Sequence, residues 1–110
     1  YRQKQYEILY KNYTAETGEI DLIVKKRDRI AFVEVKTRNN FDNIQPVESI
    51  GKTKRQKIIK TARFFCYENS IKLTDFYFRF DVATVYIHSY PDNFEIDVIE
   101  NAFDEKGGIL

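Results

Sequence analysis

Apolar and polar residues alternate along two neighbouring stretches of the chain, 19–26 and 30–38. Side chains on a β-strand point alternately to the two faces of a sheet, so this period of two predicts two strands. Polar residues at 27–29 separate the stretches, and we therefore expect a β-hairpin. Its apolar face, which we expect to lie on the core, comprises Ile20, Leu22, Val24, Ala31, Val33 and Val35.

One helix is predicted in the middle of the chain. Thr53, followed three residues later by Gln56, has the form of a capping box with Thr53 as the N-cap. Apolar residues then recur at helical spacing, and we expect the helix to end near Asn69. The apolar side of this helix holds Ile58, Ile59, Ala62, Phe65 and Cys66.

Aromatic and β-branched residues dominate three further stretches, which predict three more strands. Together with the hairpin and the helix they give the order β-β-β-α-β-β. This order predicts a single α/β domain built around a mixed sheet. The three strands are expected at 6–13, 75–88 and 94–99, with a loop at 39–46 and a turn at 91–93.

The composition excludes several classes of protein. The 110 residues are 43% hydrophobic, and 18 basic residues nearly balance 17 acidic ones, which argues against a disordered chain or a wholly basic coat protein. No apolar run approaches the roughly 18 residues of a membrane span. A single cysteine, Cys66, and a single histidine, His88, exclude an internal disulfide and a Cys/His zinc site. We expect a cytoplasmic domain and, because the sequence contains no methionine, further residues before Tyr1.

The charges are unevenly distributed along the chain. Residues 52–63 contain six basic side chains and no acidic one, whereas residues 75–110 contain eight acidic side chains and two basic ones. A basic segment can form a phosphate-binding surface. It can equally be the solvated face of a helix, and charge alone favours that simpler interpretation.

The hairpin brings charged residues together at its open end. If residues 28–29 form the turn, Asp21 lies opposite Lys36 and Ile23 lies opposite Glu34. Because side chains alternate, a set of charged residues then shares one face. These residues are Glu19, Asp21, Glu34, Lys36 and Arg38.

Two carboxylates beside a lysine suit phosphodiester hydrolysis. Hard divalent cations such as Mg²⁺ prefer oxygen ligands, and a bound cation lowers the pKa of its water. A nearby lysine can orient that water and offset negative charge in the transition state. The alternative is that these residues are ordinary cross-strand charge pairs on a solvent face, and spacing alone favours this alternative.

Two sequence motifs together resemble the bacterial YraN family, also called UPF0102. They are GEIDLI at 18–23 and FVEVKTR at 32–38, and the stretches at 6–13, 54–56, 79–83 and 99–103 are similar to other blocks of that family. The resemblance therefore covers nearly the whole chain. The family is related to Holliday junction resolvases and belongs to the PD-(D/E)xK nuclease-like superfamily.

The resemblance implies a fold and a set of site residues. The fold would be restriction endonuclease-like, a mixed sheet flanked by helices with an αβββαβ core, whose first helix is absent from this single nuclease-like domain of residues 1–110. Asp21 would bind Mg²⁺ or Mn²⁺ together with Glu34 and the backbone carbonyl of Val35. Lys36 would complete the E-x-K motif, and Gln56 on the following helix would support the catalytic site.

The resulting hypothesis is a metal-dependent endonuclease that acts on DNA, with branched, structured or single-stranded DNA as the substrate class and no membrane partner. A resolvase cuts two strands, so a homodimer would fit. The alternatives are a non-catalytic nucleic-acid-binding module on the same fold and a domain whose charged hairpin face contacts another protein. Metal affinity distinguishes the first two. The residues expected to contact nucleic-acid phosphates are Arg38, Lys52, Lys54, Arg55, Lys57 and Lys60.

Overall fold

The chain folds in the predicted order of elements. The computed structural model describes residues 1–39, 50–89 and 93–104. A short 3-10 helix at Arg2–Lys4 precedes the first strand. The main elements are β1 (Glu7–Ala15), β2 (Gly18–Lys26), β3 (Arg29–Asn39), α1 (Lys52–Glu68), β4 (Tyr77–Ser89) and β5 (Asn93–Phe103).

The five strands form one mixed sheet in chain order, β1-β2-β3-β4-β5. β3 and β4 are parallel, whereas the other neighbouring strands are antiparallel. Parallel neighbours need a crossover connection, and α1 lies on the chain between these two strands. The α/β class and the mixed sheet are therefore confirmed.

Several predicted boundaries shift. β5 extends four residues beyond the predicted end at Ile99, and Asn39 and Asn93 belong to strands rather than to the predicted loop and turn. The rest of that loop falls at 40–46 and the rest of that turn at 91–92, outside the described residues.

The predicted capping box is wrong. α1 begins at Lys52 with Gly51 as its N-cap, so Thr53 already lies inside the helix. The backbone carbonyl of Gly51 accepts the Arg55 N–H at 3.0 Å, and the Arg55 guanidinium donates to the carbonyl of Ile50 at 2.6 Å. These contacts stabilise an earlier start. The predicted end of the helix is confirmed, because Asn69 is the C-cap.

The predicted hairpin register is also wrong, because the turn lies one residue earlier in the sequence than predicted. Lys26 pairs with Arg29, so the turn residues are Arg27 and Asp28. Ile23 consequently lies opposite Phe32 and not opposite Glu34. Two buried apolar side chains pair beneath the helix in this register, whereas the predicted one would have paired a carboxylate with buried Ile23. The parity, which decides the face of each side chain, is unchanged along this ladder.

Both faces of the sheet are covered, which corrects the expectation of one apolar and one charged face. The helix-side core packs against α1 and includes Ile23 and Phe32, which share their face with Glu34. The opposite core consists of Tyr6, Val24, Ala31, Val33 and Ala83. α1 contributes all five residues of its predicted apolar side to the helix-side core.

Strict alternation breaks in β2 around Asp21. Ile20 was expected beside Val24, but it belongs to the helix-side core together with Ile23. Its partner on β1 is Tyr13, whose ring packs edge-on against Phe65 of α1 at a centroid distance of 5.1 Å. Val35 also departs from the prediction, since 40% of it is exposed. These departures mark the end of the hairpin where the charged residues gather.

A buried carboxylate organises the opposite side of the sheet. Asp81 on β4 is fully buried and accepts hydrogen bonds from Nε of Arg79 at 2.9 and 3.1 Å. It also accepts the Tyr1 hydroxyl at 2.6 Å and the Asn101 N–H at 3.0 Å. Burial and the hydrogen bond to this carboxylate raise the pKa of Tyr1, which therefore stays protonated. The chain's own donors thus satisfy Asp81.

Replacing Asp81 by alanine should lower the free energy of unfolding by about 3 kcal/mol, because the Arg79 guanidinium then loses its buried partner. Urea denaturation followed by circular dichroism measures the change. Asp97→Ala, at an exposed position of β5, is the matched control and should change stability by less than about 0.5 kcal/mol. Equal effects of the two substitutions would contradict this structural role.

Cys66 tests how α1 packs on the sheet. Only 3% of this residue is exposed, and burial raises the pKa of its thiol to about 11. Because the thiolate is the reactive form, the folded protein should react with an aromatic disulfide reagent at about pH 8 roughly tenfold or more slowly than the urea-unfolded chain. Absorbance of the released thiol reports on this cysteine alone. Equal rates would mean that α1 does not pack Cys66 against the sheet.

Candidate active site

Asp21 links β2 to β3 where their regular pairing ends. The antiparallel pairs run from Lys26–Arg29 to Leu22–Val33. Beyond them, Oδ2 of Asp21 accepts the backbone N–H of Val35 at 2.8 Å. One carboxylate oxygen is thereby held against β3, which orients the carboxylate.

Glu34 lies next to that link and is held by two lysines. Its residue exposure is 6%, and Oε1 is 2.6 Å from Nζ of Lys54 and 3.7 Å from Nζ of Lys36. Lys36 follows on the same face of β3, whereas Lys54 comes from the first turn of α1. A carboxylate at this depth requires such partners, because burying an unpaired charge is costly.

The two lysines influence each other. A hydrogen bond from Lys54 lowers the pKa of Lys36, and partial burial lowers it further. Hydrogen bonding to Glu34 raises the pKa of Lys54, and the negative charge of Asp21 acts in the same direction. We call these four residues, Asp21, Glu34, Lys36 and Lys54, the carboxylate–lysine cluster. Its two negative and two positive groups balance.

The start of β2 allows α1 to approach the sheet closely. Gly18 has φ +145°, a conformation that L side chains rarely adopt. A Cβ at this position would lie 3.4 Å from Oγ1 of Thr61 and 3.6 Å from Cβ of Lys57. The glycine that begins the GEIDLI motif therefore lies against the helix that supplies Lys54.

The structure brings Asp21, Glu34 and Lys36 together as predicted, with Val35 between them. Gln56 is exposed on α1, and within the described part of the chain no hydrogen bond joins it to the cluster. Its supporting role stays a prediction.

The residues expected to contact phosphates differ in their exposure and in the contacts that they make. Lys52, Lys57 and Lys60 are exposed along α1, while Arg55 is used to bind the carbonyl of Ile50. Nε of Arg38 is buried and has no hydrogen-bond partner among the described residues. Lys54 contacts Glu34, which sequence reasoning did not foresee, and its phosphate contact stays a prediction. Its position in a basic helix carries no signal for the contact with Glu34, which depends on how α1 docks.

The carboxylates of the cluster limit how a divalent cation could bind. Within residues 1–39, 50–89 and 93–104, no group of three or more His, Cys, Asp or Glu side chains could hold a metal. Mg²⁺, however, commonly binds proteins through one or two carboxylates and keeps several waters. Asp21 and Glu34 would fit that mode, with water oxygens completing the shell.

Comparison with known proteins settles the family. Residues 1–85 match the model of a family described as "Uncharacterised protein family UPF0102". The chain belongs to the UPF0102 family. The match spans β1 to β3, α1 and most of β4, so all four residues of the carboxylate–lysine cluster lie within it.

Relatives in the UPF0102 family are similar over most of the chain. A UPF0102 protein of Clostridium botulinum (strain Kyoto / Type A2) is 42% identical over 98 residues, which cover 89% of this chain and 79% of the relative. A UPF0102 protein of Clostridium novyi (strain NT) is 42% identical over 100 residues, covering 91% and 82%. The resemblance noted in the sequence is thus confirmed at the level of the family. The described part of the chain contains no helix long and apolar enough to cross a membrane.

Substitution of Lys54 tests the electrostatics of the cluster. Because Lys54 lowers the pKa of Lys36, Lys54→Gln should raise that pKa toward the ordinary lysine value. Titration of the Lys36 ε-methylene signal by NMR measures the change. Lys57→Gln removes an exposed charge from the same helix and should leave the Lys36 titration where it is. An unchanged titration in Lys54→Gln would show that the two lysines do not interact.

Proposed function

We propose that this UPF0102 protein is a metal-dependent endodeoxyribonuclease with a restriction endonuclease-like site. The observation that carries the proposal is the convergence of Asp21 and Glu34 beside Lys36, with Asp21 bonded to the backbone of β3. Two carboxylates can hold a divalent cation and a neighbouring lysine can orient the attacking water, which suits metal-assisted phosphodiester hydrolysis. The mixed sheet, with α1 between parallel strands, is consistent with the proposed fold.

Asp21, Glu34 and the carbonyl of Val35 would hold Mg²⁺ or Mn²⁺. When bound, such an ion polarises a phosphoryl oxygen and lowers the pKa of water. The hydrogen bond from the Val35 N–H keeps the Asp21 carboxylate oriented toward β3 before any ligand arrives. This preorganisation removes part of the cost of assembling the site.

Lys36 would orient the attacking water. Its Nζ lies 3.7 Å from Oε1 of Glu34, a position from which it can also offset negative charge in the transition state. Gln56, from the exposed side of α1, would support this arrangement once substrate is bound.

α1 would contact the nucleic-acid backbone. Lys52, Lys57 and Lys60 are exposed on it, and Arg38 offers a buried Nε at the end of β3 beside the cluster. Contacts of this kind position nucleic acid without reading its sequence. Kinship with junction resolvases suggests branched or otherwise structured DNA as substrate, cut by a homodimer.

Two observations favour the second candidate function, a nucleic-acid-binding module without catalysis. Lys54 neutralises Glu34 without a metal, and the described residues provide two carboxylates rather than three. A module of this kind would retain the basic helix and bind DNA in a salt-dependent manner.

Cleavage of labelled four-way, flap, single-stranded and linear duplex DNA distinguishes the two functions. The protein should cut one of these substrates with Mg²⁺ or Mn²⁺ and not with EDTA. Glu34→Gln and Asp21→Asn should each slow cleavage by about 100-fold or more, because each removes a metal ligand. Glu19 is exposed on β2, the strand of Asp21, and lies outside the cluster. Glu19→Gln is therefore the control and should cut at the rate of the unsubstituted protein.

DNA binding is measured in parallel by fluorescence anisotropy at several salt concentrations. Absence of cleavage with every substrate, together with salt-sensitive binding, would replace the nuclease proposal by the binding module. Metal-dependent cleavage that persists in Glu34→Gln would place the catalytic site elsewhere on the chain.

A further inference from the structure

Glu34 already has a cationic partner in the metal-free protein. Nζ of Lys54 lies 2.6 Å from Oε1, the distance of a charge-assisted hydrogen bond, whereas Nζ of Lys36 lies at 3.7 Å. The carboxylate oxygen nearest the lysines is therefore occupied by Lys54 rather than by the lysine of the E-x-K motif.

The two lysines differ in their freedom to move. The side chain of Lys54 is 46% exposed and that of Lys36 is 24% exposed. Lys54 extends from the first turn of α1 toward Glu34, and its flexible four-carbon stem can carry the ammonium into solvent without moving the backbone. Lys36 lies on β3 opposite Thr84 of β4, and its less exposed side chain has less room to move into solvent.

A divalent cation and the Lys54 ammonium would compete at Oε1 of Glu34. Both are attracted to the lone pairs of that oxygen, and two positive groups a few ångströms apart repel each other. The ion pair between Glu34 and Lys54 therefore opposes the binding of a cation through Oε1. The free energy of opening this ion pair reduces the metal affinity of the site.

We propose that Lys54 is a displaceable counter-ion of Glu34. It holds the carboxylate in place while no metal is bound, and it leaves Oε1 when a divalent cation binds. Its ammonium is then free, beside the metal site, to approach a phosphate of the substrate. This inference rests on the proposed function and gives Lys54 a positioning role, in contrast to the other exposed lysines of α1.

Mn²⁺ binding without DNA tests the inference independently of activity. Free Mn²⁺ is counted by electron paramagnetic resonance for the unsubstituted protein and for Lys54→Gln, Lys54→Arg, Lys57→Gln and Glu34→Gln. Lys54→Gln should bind Mn²⁺ about two- to fivefold more tightly, the effect of removing a partly exposed competing ion pair. Lys54→Arg keeps the competing charge, and Lys57→Gln leaves the ion pair intact, so both should keep the original affinity within about twofold.

A second measurement follows Lys54 itself. Addition of diamagnetic Mg²⁺ should shift the NMR signal of the Lys54 ε-methylene toward that of solvent-exposed Lys57, because the ammonium leaves Glu34. Both results together support displacement.

The outcomes separate this inference from the proposed function. Equal Mn²⁺ affinity of the unsubstituted protein and Lys54→Gln, with affinity lost in Glu34→Gln, would overturn the role of Lys54 and leave the metal site standing. A Lys54 signal that Mg²⁺ does not move would also overturn it. Mn²⁺ binding that Glu34→Gln does not weaken would overturn both the metal site and the inference.

Discussion

β3 and β4 run parallel, so the chain between them has to cross the sheet, and α1 lies on that crossing connection. Glu34 and Lys36 lie in the second half of β3, and α1 begins with Lys52, so its first turn brings Lys54 over the same end of the sheet. Gly18 and Tyr13 then fix where α1 rests. The carboxylate–lysine cluster is therefore a consequence of this crossing as much as of the E-x-K motif.

The two buried carboxylates of the sheet have different surroundings. Asp81 is surrounded by donors that the fold holds in place, namely Arg79, Tyr1 and the backbone of Asn101. Glu34 is held by two lysine side chains, whose ammonium groups are partly exposed. A carboxylate with fixed donors stabilises the fold, whereas one with movable partners can exchange them for a ligand. This contrast separates a structural acid from a candidate ligand without reference to any relative.

The basic and acidic segments of the sequence lie on different elements of the fold. Exposed lysines lie along α1, while the acidic residues Glu95, Asp97 and Glu100 are exposed on the edge strand β5. Charged side chains on an edge strand discourage unwanted pairing with other sheets. A nucleic acid attracted to α1 would be repelled from β5, so the same asymmetry that protects the edge would also orient the proposed ligand.

The local patterns determined a large part of this protein. Period-two alternation predicted β2, β3 and the parity of the hairpin, and helical spacing predicted α1, because these patterns follow from backbone geometry within each element. Aromatic and β-branched composition predicted the other three strands. The motifs also brought Asp21, Glu34 and Lys36 to one place. The register of the hairpin, however, was decided by the pairing of Ile23 with Phe32 beneath α1. Packing of segments that are distant in sequence decided that both faces of the sheet are covered. The contact of Lys54 with Glu34 joins residues from different elements. Only the docking of the helix on the sheet could create it, since no spacing along the chain encodes the distance between them.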